Sequence, residues 1–262
     1  MNQDIPLTRR NFLRLGIMSC VLPFLPDVAS HSLEDLLSPY GKIVYQQGTH
    51  RSHQLYILGQ KHIDPLDGSF DKETIKSQQE NFEIGRILVE QAHVQTLFIE
   101  GLGKGDLSYQ VWIDSFRPLV QDSQSLLSKI PNACDALAFT YPFLKICGAE
   151  DMKIHQAQFQ LLDRHDKESV TLFRYLSYLR SCALLKNMPE VLATQNLHKG
   201  LCFIGLAHIQ EMVTLLEEKT FMAVKDFVDD KPVFEKRTFE LPYENLDYGL
   251  SVIVPRSLEH YL

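Results

Sequence analysis

The sequence lacks a surplus of positive charge. Its 262 residues include 26 lysines and arginines against 33 aspartates and glutamates, which gives a formal net charge of −7. Because nucleic acids and anionic membrane surfaces attract positively charged proteins, this balance argues against both as the main partner. Hydrophobic residues make up 45% of the chain, an ordinary share for a globular protein with its own core.

Long hydrophobic runs and several familiar motifs are also missing. The apolar stretch at residues 15–25 is about half as long as the ~20 residues that span a bilayer, so we expect no permanent membrane anchor. No Gly-x-Ser-x-Gly element is present, which argues against a serine-hydrolase elbow. Neither a P-loop nor a dinucleotide-binding fingerprint is present.

The cysteines follow no metal-binding or redox spacing. There is no Cys-x-x-Cys pair and no zinc-ribbon pattern. Outside the N-terminal segment the chain has Cys134, Cys147, Cys182 and Cys202. Two of them, Cys147 and Cys202, lie inside apolar runs, where a free cysteine behaves as a small hydrophobic residue. We favour structural cysteines, and the sequence leaves their disulfide status open.

The N-terminus carries a segment that resembles a twin-arginine export signal. Residues 8–14 read TRRNFLR, an apolar stretch follows, and the small residues 28–30 offer a cleavage site. We therefore expect residues 1–30 to be a signal peptide read by the twin-arginine export machinery, and the protein to be exported, periplasmic or otherwise extracytoplasmic. One alternative is a chance arginine pair beside a short core helix. Another is a lipoprotein signal with a lipobox ending at Cys20, but too few apolar residues precede this cysteine for such a signal.

The rest of the chain predicts an α/β fold. Four short apolar runs, at residues 55–58, 96–99, 144–147 and 201–204, are typical of strands buried on both faces. Helical patterns lie between or after them, at residues 73–93, 170–188 and 209–218. This alternation predicts a mostly parallel central sheet flanked by helices, in a single domain over residues 31–262. Residues 233–241 and 250–254 predict a C-terminal edge hairpin.

Chemically active side chains follow the ends of the four predicted strands. The strands are followed by His62 in Gly-Gln-Lys-His, by Glu100, by the pair Glu150 and Asp151, and by His208 in Gly-Leu-Ala-His. Ligands of parallel α/β sheets bind outside the carboxyl ends of the strands, so these side chains should share one edge.

Two histidines with a carboxylate are suited to a divalent transition metal, which can acidify a bound water molecule. For each histidine the alternative is a structural role. For Glu150 and Asp151 the alternative is capping of the following helix.

The two Gly-x-x-His elements with a glutamate between them resemble the TraB/PrgY/GumN family, which includes the TIKI proteases. The likeness covers residues 50–220, and the wider superfamily contains erythromycin esterases and haem-binding ChaN-like proteins. The resemblance implies an erythromycin-esterase/ChaN-like core and a divalent-metal-dependent hydrolase, with peptidase activity known in the TIKI branch. It implies a small-molecule or peptide substrate and an ion such as manganese, cobalt or zinc. His62, Glu100 and His208 would be metal-site or catalytic residues.

The resemblance also implies an arginine on a helix before the second motif. Arg180 is the best match, because it lies on the apolar face of a predicted helix. An inward arginine needs a carboxylate or anionic partner, and this one would orient Glu100 or hold a developing oxyanion. The alternative is a structural ion pair with Asp135 or Glu150. A second candidate for the family arginine is Arg164.

Two departures from the family pattern leave other functions open. Gln60 and Lys61 stand in the first motif where small or β-branched residues are usual. Leu206 stands in the second motif where a small residue is common. A lysine beside a metal would be repelled unless it points away. A metal-free hydrolase of the erythromycin-esterase type would use the histidines as general base and electrophile. A non-enzymatic, ChaN-like haem or iron binder is the third alternative.

Overall fold

A computed structural model of the chain describes residues 32–61, 71–117, 132–162, 164, 166–228, 231–239 and 248–262. The expected signal peptide, residues 1–30, and His62 lie outside these ranges, so both stay predictions. Within the described ranges, no helix combines the length and the apolar character that crossing a membrane requires.

Eight strands are described. In chain order they are β1 (Gly41–Gln47), β2 (His53–Gln60), β3 (Thr96–Gly103), β4 (Lys145–Glu150), β5 (Lys199–Gly205), β6 (Thr220–Val228), β7 (Lys231–Thr238) and β8 (Tyr248–Pro255). Six of them form one sheet in the order β1-β8-β2-β5-β3-β4, and β6 pairs with β7 in a separate two-stranded sheet. Every neighbouring pair in the large sheet is parallel except β1 and β8. The predicted α/β class with a mostly parallel sheet is confirmed.

The four apolar runs form the strands in the middle and at one side of this sheet. Seven of the eight residues of β2 are buried, as are the last six residues of β5. Strands covered on both faces need apolar side chains at successive positions, which is why these segments show no alternation of polar and apolar residues.

The C-terminal segment contains a hairpin, but its strands are not the two that the sequence suggested. β7 pairs with the preceding strand β6, whereas residues 250–254 belong to β8, between β1 and β2. All eight residues of β8 are buried, and an apolar strand of this kind is stabilised by burial on both faces. β7 carries the charged run Glu235, Lys236 and Arg237 and remains in the more exposed hairpin.

Helices flank the sheet. They are α1 (Leu33–Leu37), α2 (Lys72–Glu90), α3 (Ser108–Phe116), α4 (Ala133–Thr140), α5 (Met152–Phe159), α6 (Lys167–Thr194) and α7 (Leu206–Glu218), and a 3-10 helix ends the chain at Arg256–Tyr261. One core cluster joins α2 and α4 to the sheet through Ile84, Leu88 and Leu137. A second joins α6 and α7 to it through Leu192 and Ile209. The helices predicted over 73–93, 170–188 and 209–218 correspond to α2, α6 and α7.

Gly148 allows β3 and β4 to approach each other near their carboxyl ends. A Cβ atom at this position would lie 2.3 Å from the carbonyl oxygen of Gly103, which no side chain tolerates. The backbone carbonyl of Gly148 accepts from the N–H of Gly105 at 3.0 Å. The glycine that follows the third apolar run therefore serves packing, and it places Glu150 two residues further along the strand.

The four cysteines outside the N-terminal segment are free thiols in the described part of the chain. Cys134, Cys147 and Cys202 are buried and Cys182 is half-buried. Burial raises the pKa of Cys147 and of Cys182 to about 12. The protonated thiols contribute to the core as small apolar groups, as favoured from the sequence.

Candidate functional site

The carboxyl edge of the sheet brings three of the predicted residues together. β3 carries Glu100, β4 ends at Glu150, and His208 lies in the first turn of α7, directly after β5. The long helix α6 crosses this edge and brings in Arg180. The site is therefore assembled at the end of the sheet where ligands of parallel α/β folds bind.

Arg180 lies at the centre of the site, and its guanidinium is fully occupied. Its Nε donates to both carboxylate oxygens of Glu150 at 3.0 Å. Its Nη2 donates to Oε1 of Glu100 at 2.9 Å and to Oε1 of Glu150 at 2.5 Å. Its Nη1 lies 3.3 Å from Oε1 of Gln158 and 3.3 Å from Nε2 of His208. Since a guanidinium has five N–H groups, no donor remains for a substrate oxyanion.

These contacts decide between the roles considered for Arg180. It forms the buried ion pair with Glu150, and it also holds Glu100 in place. Asp135, the other carboxylate considered, instead accepts a hydrogen bond from the hydroxyl of Tyr109 at 2.5 Å. Burial alone would lower the pKa of Arg180, but its hydrogen bonds and its charge interactions with the two glutamates outweigh burial and leave the pKa raised.

The partners of His208 define its tautomer. A guanidinium can only donate, so Nε2 of His208 must accept from Arg180. The ring proton then lies on Nδ1, which has the hydroxyl oxygen of Ser181 at 2.9 Å and Oε2 of Glu211 at 3.0 Å. The Ser181 hydroxyl donates to the same Glu211 oxygen at 2.7 Å. His208 is thus a neutral imidazole whose orientation is set by hydrogen bonds at both nitrogens.

Glu100 is held at both carboxylate oxygens. Besides Arg180 at Oε1, it accepts from the backbone N–H of Gly205 at 2.9 Å through Oε2. Its Oε1 lies 4.0 Å from Nε2 of His208. A carboxylate whose oxygens each keep a second lone pair, and can therefore take up a proton, lies beside the imidazole in a largely buried setting.

Other predicted residues have structural roles or lie elsewhere. Asp151 caps α5, accepting from the N–H groups of Lys153 at 2.9 Å and Ile154 at 3.4 Å, which is the alternative considered for it. Arg164 is exposed, and within the described chain it forms no hydrogen bond or ion pair with Glu100. The strand before His62 ends beside the strand before His208, because Gln60 of β2 pairs with Gly205 of β5.

Lys61, the unusual residue of the first motif, turns toward the start of α2. Its Nζ lies 2.7 Å from Oδ2 of Asp71 and 2.6 Å from Oε2 of Glu73. Asp71 also caps α2 by accepting from the N–H of Thr74 at 2.6 Å. The lysine charge is therefore neutralised by two carboxylates of its own, and the hydrogen bond from Lys61 is the main reason that the pKa of Asp71 falls to about 2.

The substitution Lys61→Met should raise the pKa of Asp71 toward its ordinary value of 3.8. Because the folded-state pKa is depressed, the contact stabilises the fold above the ordinary pKa, and this stabilisation is lost as the pH falls toward 2. Carboxyl NMR titration of the variant measures the shift. Asp106 is the matched control, since its lowered pKa comes from the N–H of Ser108 and should not change. An unchanged Asp71 titration would contradict the assignment.

Three residues of the site were not found from the sequence. Ser181 follows Arg180 directly, and Glu211 lies three residues after His208, a spacing that places both side chains on one face of a helix. The spacing between His208 and Glu211 is therefore a sequence signal from which their contact could have been predicted. No sequence signal predicts the contact of Gln158 with Arg180, because this contact depends on how α5 and α6 pack.

The described side chains alone do not fit the expected divalent ion. Among the residues that the structure covers, no group of three or more histidines, cysteines, aspartates or glutamates is arranged to bind a metal. The guanidinium of Arg180 contacts the carboxylates of Glu100 and Glu150 and Nε2 of His208, so it takes the position that a cation among them would need. A second positive charge there would be repelled. The predicted set of ligands requires His62, which lies outside the described residues.

A cavity of about 230 Å³ opens beside this cluster. Glu100, Arg180 and His208 line it, together with residues of α5 and α6 and the first residues of α7. Comparisons of the chain with models of known protein families, with curated proteins and with solved structures find no match. The resemblance to the TraB/PrgY/GumN family therefore stays a prediction that rests on the paired motifs.

Proposed function

We propose that this protein is a hydrolase of esters, amides or peptides whose reaction centre comprises Glu100, Arg180 and His208. The observation that carries the proposal is a carboxylate and a neutral imidazole held by one buried guanidinium at the mouth of a cavity. The carboxylate of Glu100 and Nε2 of the neutral His208 lie 4.0 Å apart, and both line that cavity.

The chemistry follows from the positions of these groups. Glu100 accepts a proton from a water molecule while the water oxygen attacks the substrate carbonyl carbon. The bond to the leaving alcohol or amine then breaks, and the proton is delivered to that leaving group. Arg180 acts as a positioning residue, since all its N–H groups contact the protein. His208 accepts from Nη1 of Arg180 and so helps to hold the guanidinium that positions Glu100.

A metal-assisted hydrolase is the second candidate. It is supported by the register of β2 and β5, which brings the strand ends before His62 and His208 next to each other. His62, Glu100 and His208 would hold manganese, cobalt or zinc, and such an ion would acidify a water molecule. The position of Arg180 among the described donors makes the metal-free form the leading proposal.

The experiment compares hydrolysis before and after exhaustive chelation. The purified chain is assayed on p-nitrophenyl butyrate and on a benzoyl dipeptide, beside His208→Gln and the control His50→Gln in an exposed loop. We expect activity that survives chelation, is lost in His208→Gln and is kept in His50→Gln. Activity that disappears on chelation and returns with manganese, cobalt or zinc would favour the second candidate. No hydrolysis under any condition would contradict both.

We also propose that the protein reaches its site of action by twin-arginine export. The support is the order of the arginine pair, the apolar stretch and the small residues within residues 1–30. The double variant Arg9→Lys, Arg10→Lys should stay in the cytoplasmic fraction, and normal export of that variant would contradict the proposal.

A further inference from the structure

The cavity beside Arg180 has a polar part and a largely apolar part. The polar part contains Glu100, Arg180 and His208, which were described above. The remaining lining includes the large apolar side chains of Phe159, Leu162, Phe173 and Leu206. Phe159 is 66% exposed and Leu162 is 49% exposed, although both are large apolar residues. Exposed apolar side chains around a cavity with a few convergent polar groups are typical of a ligand site.

The amino-terminal end of α7 contributes free backbone donors to the cavity. This helix has 13 residues, and no side chain of the described residues caps it. The N–H of Gly205 donates to Glu100, but in the described part of the chain the N–H groups of Leu206 and Ala207 have no acceptor. Both residues line the cavity. The first N–H groups of a helix, together with the helix dipole, attract oxygen atoms that carry negative or partial negative charge.

Gln158 supplies a second donor in the same cavity. It is only 5% exposed and lines the cavity. Its Oε1 faces the guanidinium of Arg180, which can only donate, so its Nε2 is the end that points elsewhere. Within the described residues Nε2 has no acceptor. Since it is not one of the buried polar atoms that lack a partner, it reaches solvent, and a ligand oxygen in this cavity can take the place of water there.

The charge and size of the cavity narrow the ligand further. Arg180 has no N–H left for a free carboxylate, and Glu100 and Glu150 would repel one. A neutral carbonyl oxygen avoids that repulsion and still accepts from the donors of α7 and Gln158. The volume indicates which apolar group fits, since a cavity of about 150 Å³ in another protein binds benzene. A volume of about 230 Å³ thus accommodates a group of benzene size with its carbonyl.

We propose that this cavity binds the acyl part of a neutral ester or amide of a compact apolar acid, such as a benzoyl or branched short-chain acyl group. The acyl carbonyl oxygen lies at the N–H groups of Leu206 and Ala207 and at Nε2 of Gln158, and the apolar body lies against Phe159 and Leu162. This inference rests on the proposed function, because it names the substrate class of the same site.

The test uses ligand binding, which does not depend on turnover. Benzamide, acetamide and sodium benzoate are titrated into the full chain, and the backbone amide signals of Leu206 and Ala207 are followed by NMR. We expect benzamide to shift both signals and to bind about tenfold more tightly than acetamide or benzoate. The variant Phe159→Ala should weaken benzamide binding by about tenfold. The control Phe143→Ala removes a phenylalanine that is 64% exposed outside the cavity and should leave binding unchanged.

The outcomes separate this inference from the proposed function. Benzamide binding at Leu206 and Ala207 without hydrolysis of any benzoyl or butyryl ester supports the ligand class and contradicts the hydrolase. Hydrolysis of these esters with no shift of the two amide signals, or with equal benzamide binding in Phe159→Ala, overturns the inference and leaves the hydrolase intact. Tighter binding of benzoate than of benzamide also overturns it, since it would mean that the cavity selects an anion.

Discussion

Replacing Arg180 with methionine lowers the free energy of unfolding by about 3–5 kcal/mol. The physical reason is Glu150, whose side chain is 0% exposed and whose two carboxylate oxygens both face the guanidinium. Methionine fills the space but removes the counter-charge, and an ion left alone in the interior has lost its water without any compensation. Urea denaturation of the wild-type chain and of Arg180→Met measures the difference.

Two further variants show whether the cost comes from the stranded carboxylate. Arg174→Met changes an exposed arginine on the same helix and should alter stability by no more than about 0.5 kcal/mol. The double variant Arg180→Met, Glu150→Gln removes both charges and should recover a large part of the loss. A cost below about 1 kcal/mol for Arg180→Met would contradict the buried network, since exposed ion pairs contribute no more than that.

The second large effect is expected at Glu100. The substitution Glu100→Gln should lower the rate of ester hydrolysis by about 10²–10⁴-fold, because an amide cannot accept the proton of the attacking water. The loss should be in kcat, since the side chain keeps its shape and the cavity lining is unchanged. Glu217→Gln on the exposed side of α7 is the matched control and should leave kcat unchanged. A change in KM alone would mean that Glu100 serves binding rather than proton transfer.

Much of the site could be predicted from the sequence because it follows the strand ends. Apolar runs mark the buried strands, and the carboxyl ends of parallel strands lie along one edge, which brings Glu100, Glu150 and His208 together. Arg180 could be predicted as inward-facing because helical periodicity places it among apolar residues. The partners of Arg180 could only be narrowed to a few carboxylates, because periodicity gives the face of a helix and not the residue opposite.

The path of the C-terminal segment shows where sequence reasoning fails. Two strand-like segments close in sequence favour a hairpin, because consecutive elements are usually neighbours in space. Here residues 250–254 insert between β1 and β2, strands that lie about two hundred residues away in the sequence, and only the burial of every β8 side chain explains that choice. An apolar run alone shows that a strand is buried but not which strands lie beside it.

The position of the Arg180 guanidinium at the centre of the site is a second feature that sequence spacing does not reveal. Paired histidines and a carboxylate favour a metal ion when they are considered without their neighbours. In the structure the guanidinium of Arg180 contacts the carboxylates of Glu100 and Glu150, and a metal site that includes His62 stays a prediction. The contact of the guanidinium with Nε2 of His208 is set by the packing of α6 over the sheet edge, which no spacing in the sequence reveals.

One double-mutant cycle tests most directly whether Glu100 and His208 form a single reaction centre. The kcat/KM values for p-nitrophenyl butyrate are measured for the wild-type chain, Glu100→Gln, His208→Gln and the double variant. Residues that act as a unit give non-additive losses, so the double variant should lose about as much activity as the more damaging single variant. If the two losses multiply, or if either single variant keeps full activity, the residues act separately and the proposed reaction centre is wrong.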